Sequence, residues 1–153
     1  GRAMCDVFAR EGADIAFCYA SNEQAADETT QLIEARGRRA LAVQADVGDR
    51  KGARAMVEKV VEEFERIDVC VMNAGINRGS LFLRMPEKDW DDIMRINVNG
   101  LFNVGQPVFQ QMMQWIEDHY VMIPTAGAKV SPNVVSASVR GIGVAVITST
   151  CGG

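Results

Sequence analysis

Histidine is nearly missing from this chain: His119 is the only one in 153 residues. The cysteines, Cys5, Cys18, Cys70 and Cys151, lie far apart, with no Cys-x-x-Cys pair among them. These two absences remove the ligand spacing of a zinc site, so no metal is expected. Scattered thiols fit reduced, mostly buried cysteines in a cytoplasmic protein better than a disulfide framework. No apolar run approaches the ~20 residues that cross a bilayer, and no basic stretch leads into an apolar one as a secretory leader would. Any excess of one charge sign is small too. Sixteen Lys and Arg against 20 Asp and Glu leave a net charge of −4. That balance gives no electrostatic reason to expect nucleic acid or a membrane as partner.

What is present is an ordinary globular composition, 48% apolar and 24% charged, in a length that suits one domain spanning 1–153. The chain opens inside a helical pattern, "GRAMCDVFAREG", with Met4, Val7 and Phe8 on one face and Ala3 beside them. That opening predicts a segment before it. Gly12 closes the helix. "ADIAFCY" (13–19) has the length of a strand. Ser21 then offers an N-cap, and Gln24 three residues on completes the spacing of a capping box for a helix reaching 35–36. "RALAVQAD" (39–46) reads as a second strand. The next helix is the clearest, with Ala53, Met56, Val57, Val60, Val61 and Phe64 forming one apolar stripe between charged residues.

"IDVCVMNAG" (67–75) is a nearly all-apolar strand running into a glycine turn, as suits a sheet covered on both faces. Residues 87–118 predict a long helix with Trp90, Ile93, Met94, Val98, Leu101 and Phe102 inward and a kink at Pro107. "YVMIP" (120–124) is a further strand candidate. Residues 133–148 are open between strand, from the β-branched "VAVITST", and helix. Alternating helices and strands imply a parallel sheet wrapped by helices, with ligands at the carboxyl ends of its strands. Those ends are Cys18–Ser21, Asp46–Val47, Asn73–Gly75 and Pro124–Thr125.

At these ends the sequence resembles the short-chain dehydrogenase/reductase family, in particular its 3-oxoacyl-carrier-protein reductase-like branch. "VMNAGINRG" resembles the family's NNAG segment, with Met72 for the first Asn. "ADVGD" resembles the aspartate that follows the third strand and contacts adenine. "WDDIMRINVNGLFNVGQ" resembles the helix bearing the catalytic-tetrad Asn, here Asn97. "GRA" resembles the end of a TGxxxGIG-R-A loop, with Gly1 as its last glycine. Several motifs in order and at spacing are far more specific than one glycine pattern. Taken singly, each has a plainer reading: Asn73-Ala74-Gly75 as a turn, Asp46 as a turn cap, Asn97 as a core-bonded amide.

The resemblance implies a Rossmann-like α/β sheet lacking the family's first and last strands. Strands near 13–19, 39–45, 68–72 and 120–124 would all be parallel, the first and third of them closing up directly across the gap. It implies a dinucleotide held by Gly1, Arg2, Tyr19, Ser21, Asn22, Asp46, Val47, Asn73, Ala74 and Gly75. No acid stands at the end of 13–19 before Glu23. An acid there would bond the free 2′-hydroxyl of NAD and repel a 2′-phosphate, whereas Tyr19, Ser21 and Asn22 conflict with neither. NADP(H) is therefore the expected cofactor over NAD, with Arg2 as the supporting charge. Binding would be weak or lost, because only Gly1 and Arg2 remain of the pyrophosphate loop.

The family's reduction chemistry needs a Tyr acid, a Lys four residues on to lower its pKa, and a hydroxyl to hold the carbonyl. "VVSASVRGIG" (134–143) resembles the YSASKAG run, with Val135 and Val139 at the Tyr and Lys places. Valine cannot exchange a proton. Asn97 and Thr125 would be the remnants of the tetrad. The function expected is therefore that of an NADP(H)-dependent carbonyl/hydroxyl oxidoreductase lineage, acting on a small carbonyl or thioester if active. The chain itself would be incomplete or inactive. A non-catalytic nucleotide- or partner-binding paralogue and a functionless gene fragment stay open as alternatives. Self-association through the 87–118 helix is the one protein partner expected.

Overall fold

The computed structural model of the chain describes residues 1–119 and 144–148. Its centre is a four-stranded sheet of β1 (Asp14–Tyr19), β2 (Ala40–Gln44), β3 (Val69–Met72) and β4 (Val144–Thr148), in the order β2-β1-β4-β3. Every neighbouring pair is parallel. Contrary to expectation, β1 and β3 do not close on each other across a gap. β4 lies between them, with Asp14 opposite Val144 on one side and Val69 opposite Ala145 on the other. The open choice for 144–148 thus falls to strand. Five residues, four of them β-branched and all buried, fit a central strand better than a surface helix. The strand expected at 120–124 lies outside the described residues.

Strand alternation assigns the two layers of helix. Ala16, Cys18, Val144 and Val146 face one way, against α3 (Arg50–Phe64) and α5 (Gly100–His119). Ile15, Phe17, Ala145 and Ile147 face the other, against α1 (Arg2–Arg10) and α2 (Glu23–Glu34). β1 and β4 are therefore buried on both faces, whereas β3 is half-buried. α3 buries Ala53, Met56, Val57, Val60 and Phe64, the stripe its sequence predicts. Asp49 caps it, accepting from the Lys51 and Gly52 amides at 3.2 and 3.0 Å. α1 turns into β1 through Gly12, whose φ of +95° suits a residue without Cβ.

Three local expectations are corrected. α2 is capped by Asn22, whose Oδ1 accepts from the Ala25 amide at 2.9 Å, and not by Ser21; Gln24 bonds Glu28 instead of closing a capping box. On α1 the buried residues are Cys5 and Ala9, while Val7 is exposed. The long helix is α4 (Glu87–Ile93), a π-helical segment (Met94–Asn99) and α5, which continues through Pro107. Its inward face is Ile96, Gly100, Asn103, Val104, Gly105 and Val108. Trp90, Val98, Leu101 and Phe102, expected inward, are exposed. Two causes combine. A π segment breaks the 3.6-residue phase, and the face that docks is small or polar, so hydropathy cannot find it. Gly100 shows why small residues are needed: a Cβ there would stand 3.0 Å from Cγ2 of Val47.

Candidate functional site at the carboxyl edge of the sheet

Parallel pairing brings four strand ends to one edge. Tyr19 stands opposite Gln44, Cys18 opposite Thr148, and Met72 opposite Thr148. The Thr148 side chain organises the centre of this edge. Its hydroxyl is buried, accepts from the Asn73 and Ala74 amides at 3.0 and 3.2 Å, and donates to the Val71 carbonyl at 3.3 Å. The turn Asn73-Ala74-Gly75 is thereby fixed to the end of β4. Amides that would otherwise lack a strand partner are satisfied.

The other wall of the edge hangs on the π segment. Asn97 clamps the backbone of Ile76: its Oδ1 accepts from the Ile76 amide at 2.8 Å and its Nδ2 donates to the Ile76 carbonyl at 2.9 Å. Arg95, two residues earlier, reaches the opposite way and pairs with Asp46 at 2.6 Å. Asp46 also accepts from the Gly48 amide at 2.8 Å, so one of its oxygens is a turn cap. Val47 is buried, and its carbonyl accepts from Asn103 at 2.9 Å. The ends of β2 and β3 are thus both braced by one helix.

At the far side of the edge, Gly1 precedes α1 as an N-cap without a side-chain bond. Arg2 turns toward α2, bonding Thr29 at 3.2 Å and the Ala25 carbonyl at 3.5 Å and pairing with Glu28 at 2.5 Å. The Arg2 hydrogen bond and charge hold the Glu28 carboxyl below its ordinary range. Tyr19 is half-buried, and Ser21 and Asn22 are exposed. Arg2 and Arg95 already face carboxylates, so an incoming phosphate must compete for them. Under the edge, burial and then the neighbouring Cys18 push the Cys70 thiol up to about 11, which favours the protonated form.

Of the residues predicted for the site, the structure therefore gathers Asp46, Val47, Asn73, Ala74, Gly75 and Asn97 around two strand ends. Gly1, Arg2, Tyr19, Ser21 and Asn22 lie along the β1 side. Thr125, Val135 and Val139 lie outside the described residues. Sequence reasoning missed Thr148 and Arg95. Thr148 carried a weak signal, a hydroxyl ending a β-branched run; Arg95 carried none. An open depression lined by Gln106, Phe109, Met113 and Glu117 lies on the outer side of α5 and belongs to a different surface.

Comparisons with known proteins place the chain in a family. The family model for short chain dehydrogenase matches residues 1–146. The 3-oxoacyl-[acyl-carrier-protein] reductase FabG of Staphylococcus aureus is 39% identical over 114 residues, which is 74% of this chain and 46% of the relative. The Staphylococcus epidermidis FabG is 32% identical over 151 residues, 98% of this chain and 62% of the relative. Among solved structures, a short chain dehydrogenase from Burkholderia cenocepacia in complex with NADP superposes with a TM-score of 0.69 at 32% identity, over 73% of this chain and 46% of that one. The chain spans about half the length of several relatives it matches.

Proposed function

Because the chain belongs to the short-chain dehydrogenase/reductase family, we propose that its carboxyl edge retains only weak binding of NADP(H), and that the chain does not by itself reduce a carbonyl. The residues present fit a dinucleotide. The edge offers exposed hydroxyl and amide groups at Ser21, Asn22 and Asn73 and a turn whose Gly75 leaves the backbone bare. Between Tyr19 and Asn22 no carboxylate opposes a 2′-phosphate. Arg2 lies against the first turns of α2, beside that segment, where its guanidinium can exchange Glu28 for a phosphate. The single observation that carries the reading is the Asn97–Ile76 clamp beside the Thr148-held turn. It is a rigid wall at the strand ends of a parallel sheet, where such folds take their ligand.

When bound, the cofactor supplies a hydride. The chain's own contribution is to hold and orient it. Asp46 and Val47 border the adenosine side, and Asn73–Gly75 borders the middle of the edge. Asn97 is spent on the Ile76 backbone, so it acts as a positioning residue and holds no proton for transfer. Val135 and Val139, at the places of the family's Tyr and Lys, can give none. A tuned acid contributes about 10²–10⁴-fold, so its loss removes measurable reduction of a small carbonyl or thioester. Fluorescence titration tests the cofactor reading: NADPH should bind more tightly than NADH. Equal or reversed order would refute the role of Tyr19–Asn22 and Arg2. Oxidation of NADPH by acetoacetyl thioester with this chain alone would refute the non-catalytic reading.

A specific surface supports self-association as well. Val98, Leu101, Phe102, Phe109, Met113 and Ile116 are exposed along one continuous helical side. An apolar stripe of this extent favours a second copy of the chain. Sedimentation should show a dimer that Phe109→Glu with Met113→Glu converts to monomer; a monomer at every concentration would contradict it.

A further inference from the structure

β2 is the outer strand of the sheet and lies beside β1. A dinucleotide whose phosphorylated ribose faces Tyr19–Asn22 at the end of β1 places its base over the end of the next strand outward, the turn Asp46–Gly48. In this the inference rests on the cofactor reading above. Adenine presents a 6-amino group, a donor, and a donor that leaves water needs an acceptor. Asp46 and Val47 carry four acceptor oxygens, and each already receives a hydrogen bond. The Asp46 carbonyl accepts from the Asp49 amide at 2.9 Å, and the Val47 carbonyl accepts from Asn103 at 2.9 Å. Of the Asp46 carboxylate, Oδ1 accepts from the Gly48 amide at 2.8 Å and Oδ2 accepts from Arg95 at 2.6 Å.

Three of these four donors are held in place. Two are backbone amides of the turn itself, and Asn103 is buried on the docking face of α5. Arg95 is different. Its side chain and that of Asp46 are 43% and 47% exposed, and it reaches the acid by lying across Gly48. A Cβ at 48 would overlap Nη1 of the guanidinium and stand 2.9 Å from Cζ. Gly48 is not among the glycines of positive φ, so the bare α-carbon serves the path of Arg95 and not an unusual backbone. The guanidinium thus stands as a donor at the one acceptor that an adenine amine gains by displacing a side chain. Donor faces donor, and the base reaches Asp46 only when the ion pair opens. We infer that Arg95 bars the adenine subsite and sets the affinity of this edge for the adenosine half of a dinucleotide.

Calorimetric titration with the two halves of the cofactor tests this. The probes are NADPH, adenosine 2′,5′-bisphosphate for one half, and reduced nicotinamide mononucleotide for the other. Arg95→Met removes the bar, and Gly48→Ala evicts the guanidinium from its path while keeping its charge. Each variant should tighten NADPH and the bisphosphate by roughly 5-fold, the scale of an exposed ion pair, and leave the mononucleotide unchanged. Loss of a cation by itself weakens an anionic ligand, so a gain in Arg95→Met is diagnostic in sign. Asp46→Asn, whose amide oxygen can still cap Gly48 while its nitrogen only donates, should cancel the gain when added to Arg95→Met. NADPH binding to the parent that neither variant tightens overturns the inference and leaves the cofactor reading standing. So does a gain that survives Asp46→Asn. An absence of NADPH binding to the parent and to both variants overturns the inference and the cofactor reading together.

Discussion

β1 and β4 lie side by side with the same burial, but their ends are built differently. At the amino edge β1 starts with Asp14, a buried carboxylate that accepts from the Arg39 amide and guanidinium at 3.0 and 2.9 Å and pairs with Arg38 at 2.7 Å. β4 starts there too, its Val144 amide donating to Asp68 at 2.8 Å. That edge is closed with charge. At the carboxyl edge β4 ends in an uncharged hydroxyl with three backbone partners, and the ion pairs Arg2–Glu28 and Arg95–Asp46 stand to either side of it. A fold whose central strands meet carboxylates at one edge and an uncharged hydroxyl with a glycine turn at the other has one edge built for stability and one open to a ligand.

The contrast can be broken most severely at its centre. Val146→Asp puts an unpaired carboxylate between β1 and β3, at a residue 1% exposed. A cost of several kcal/mol follows, and circular dichroism should show a chain that no longer unfolds cooperatively. Next in size is Asp14→Asn. Burial alone would raise the Asp14 carboxyl. The Arg39 hydrogen bonds and the charges of Arg38 and Arg39 outweigh it and hold the group below its ordinary 3.8. A depressed carboxylate contributes stability above its unfolded pKa and loses it as pH falls through the folded value. The parent should therefore weaken as pH drops below about 4. The variant should lose about 1–3 kcal/mol at neutral pH, since the arginines stay partly solvated, and should show a flatter acid limb in denaturant melts across pH.

Smaller effects belong to the ligand edge and sharpen the distinction. Asn97→Ala leaves the Ile76 amide and carbonyl without their partner, costing about 1–2 kcal/mol. It should also weaken NADPH by more than the stability loss explains, because the wall itself moves. Thr148→Val is nearly isosteric and removes one hydroxyl serving two amides; about 1 kcal/mol is expected. If Asn97→Ala and Asp14→Asn reduced NADPH affinity equally in titrations, the two edges would not differ in role.

How far this architecture is legible without a structure depends on which physical signal each element carries. α3 writes its burial directly into a 3.6-residue apolar repeat, and β1 and β2 carry theirs in short apolar runs. Asn73–Gly75 and Asn97 are readable as motifs. α5 hides its docking side, because Gly100, Asn103 and Gly105 approach Val47 and Met72 by being small or polar, while bulky Phe102 and Phe109 point out. β4 is legible as buried but not as central, since strand order is set by non-local pairing that no local pattern encodes. Ser21 and Asn22 are equivalent as caps by type, and only backbone geometry chooses between them.

Amide hydrogen exchange with and without NADPH tests most directly the claim that the ligand edge is built around β4. Val144–Thr148 should be protected to the same degree as Asp14–Tyr19, both exchanging only through global unfolding, and NADPH should further slow Ala74–Ile76 without changing the amino edge at Asp14. Exchange of 144–148 at the rate of an unstructured peptide, with NADPH leaving 74–76 untouched, would contradict it.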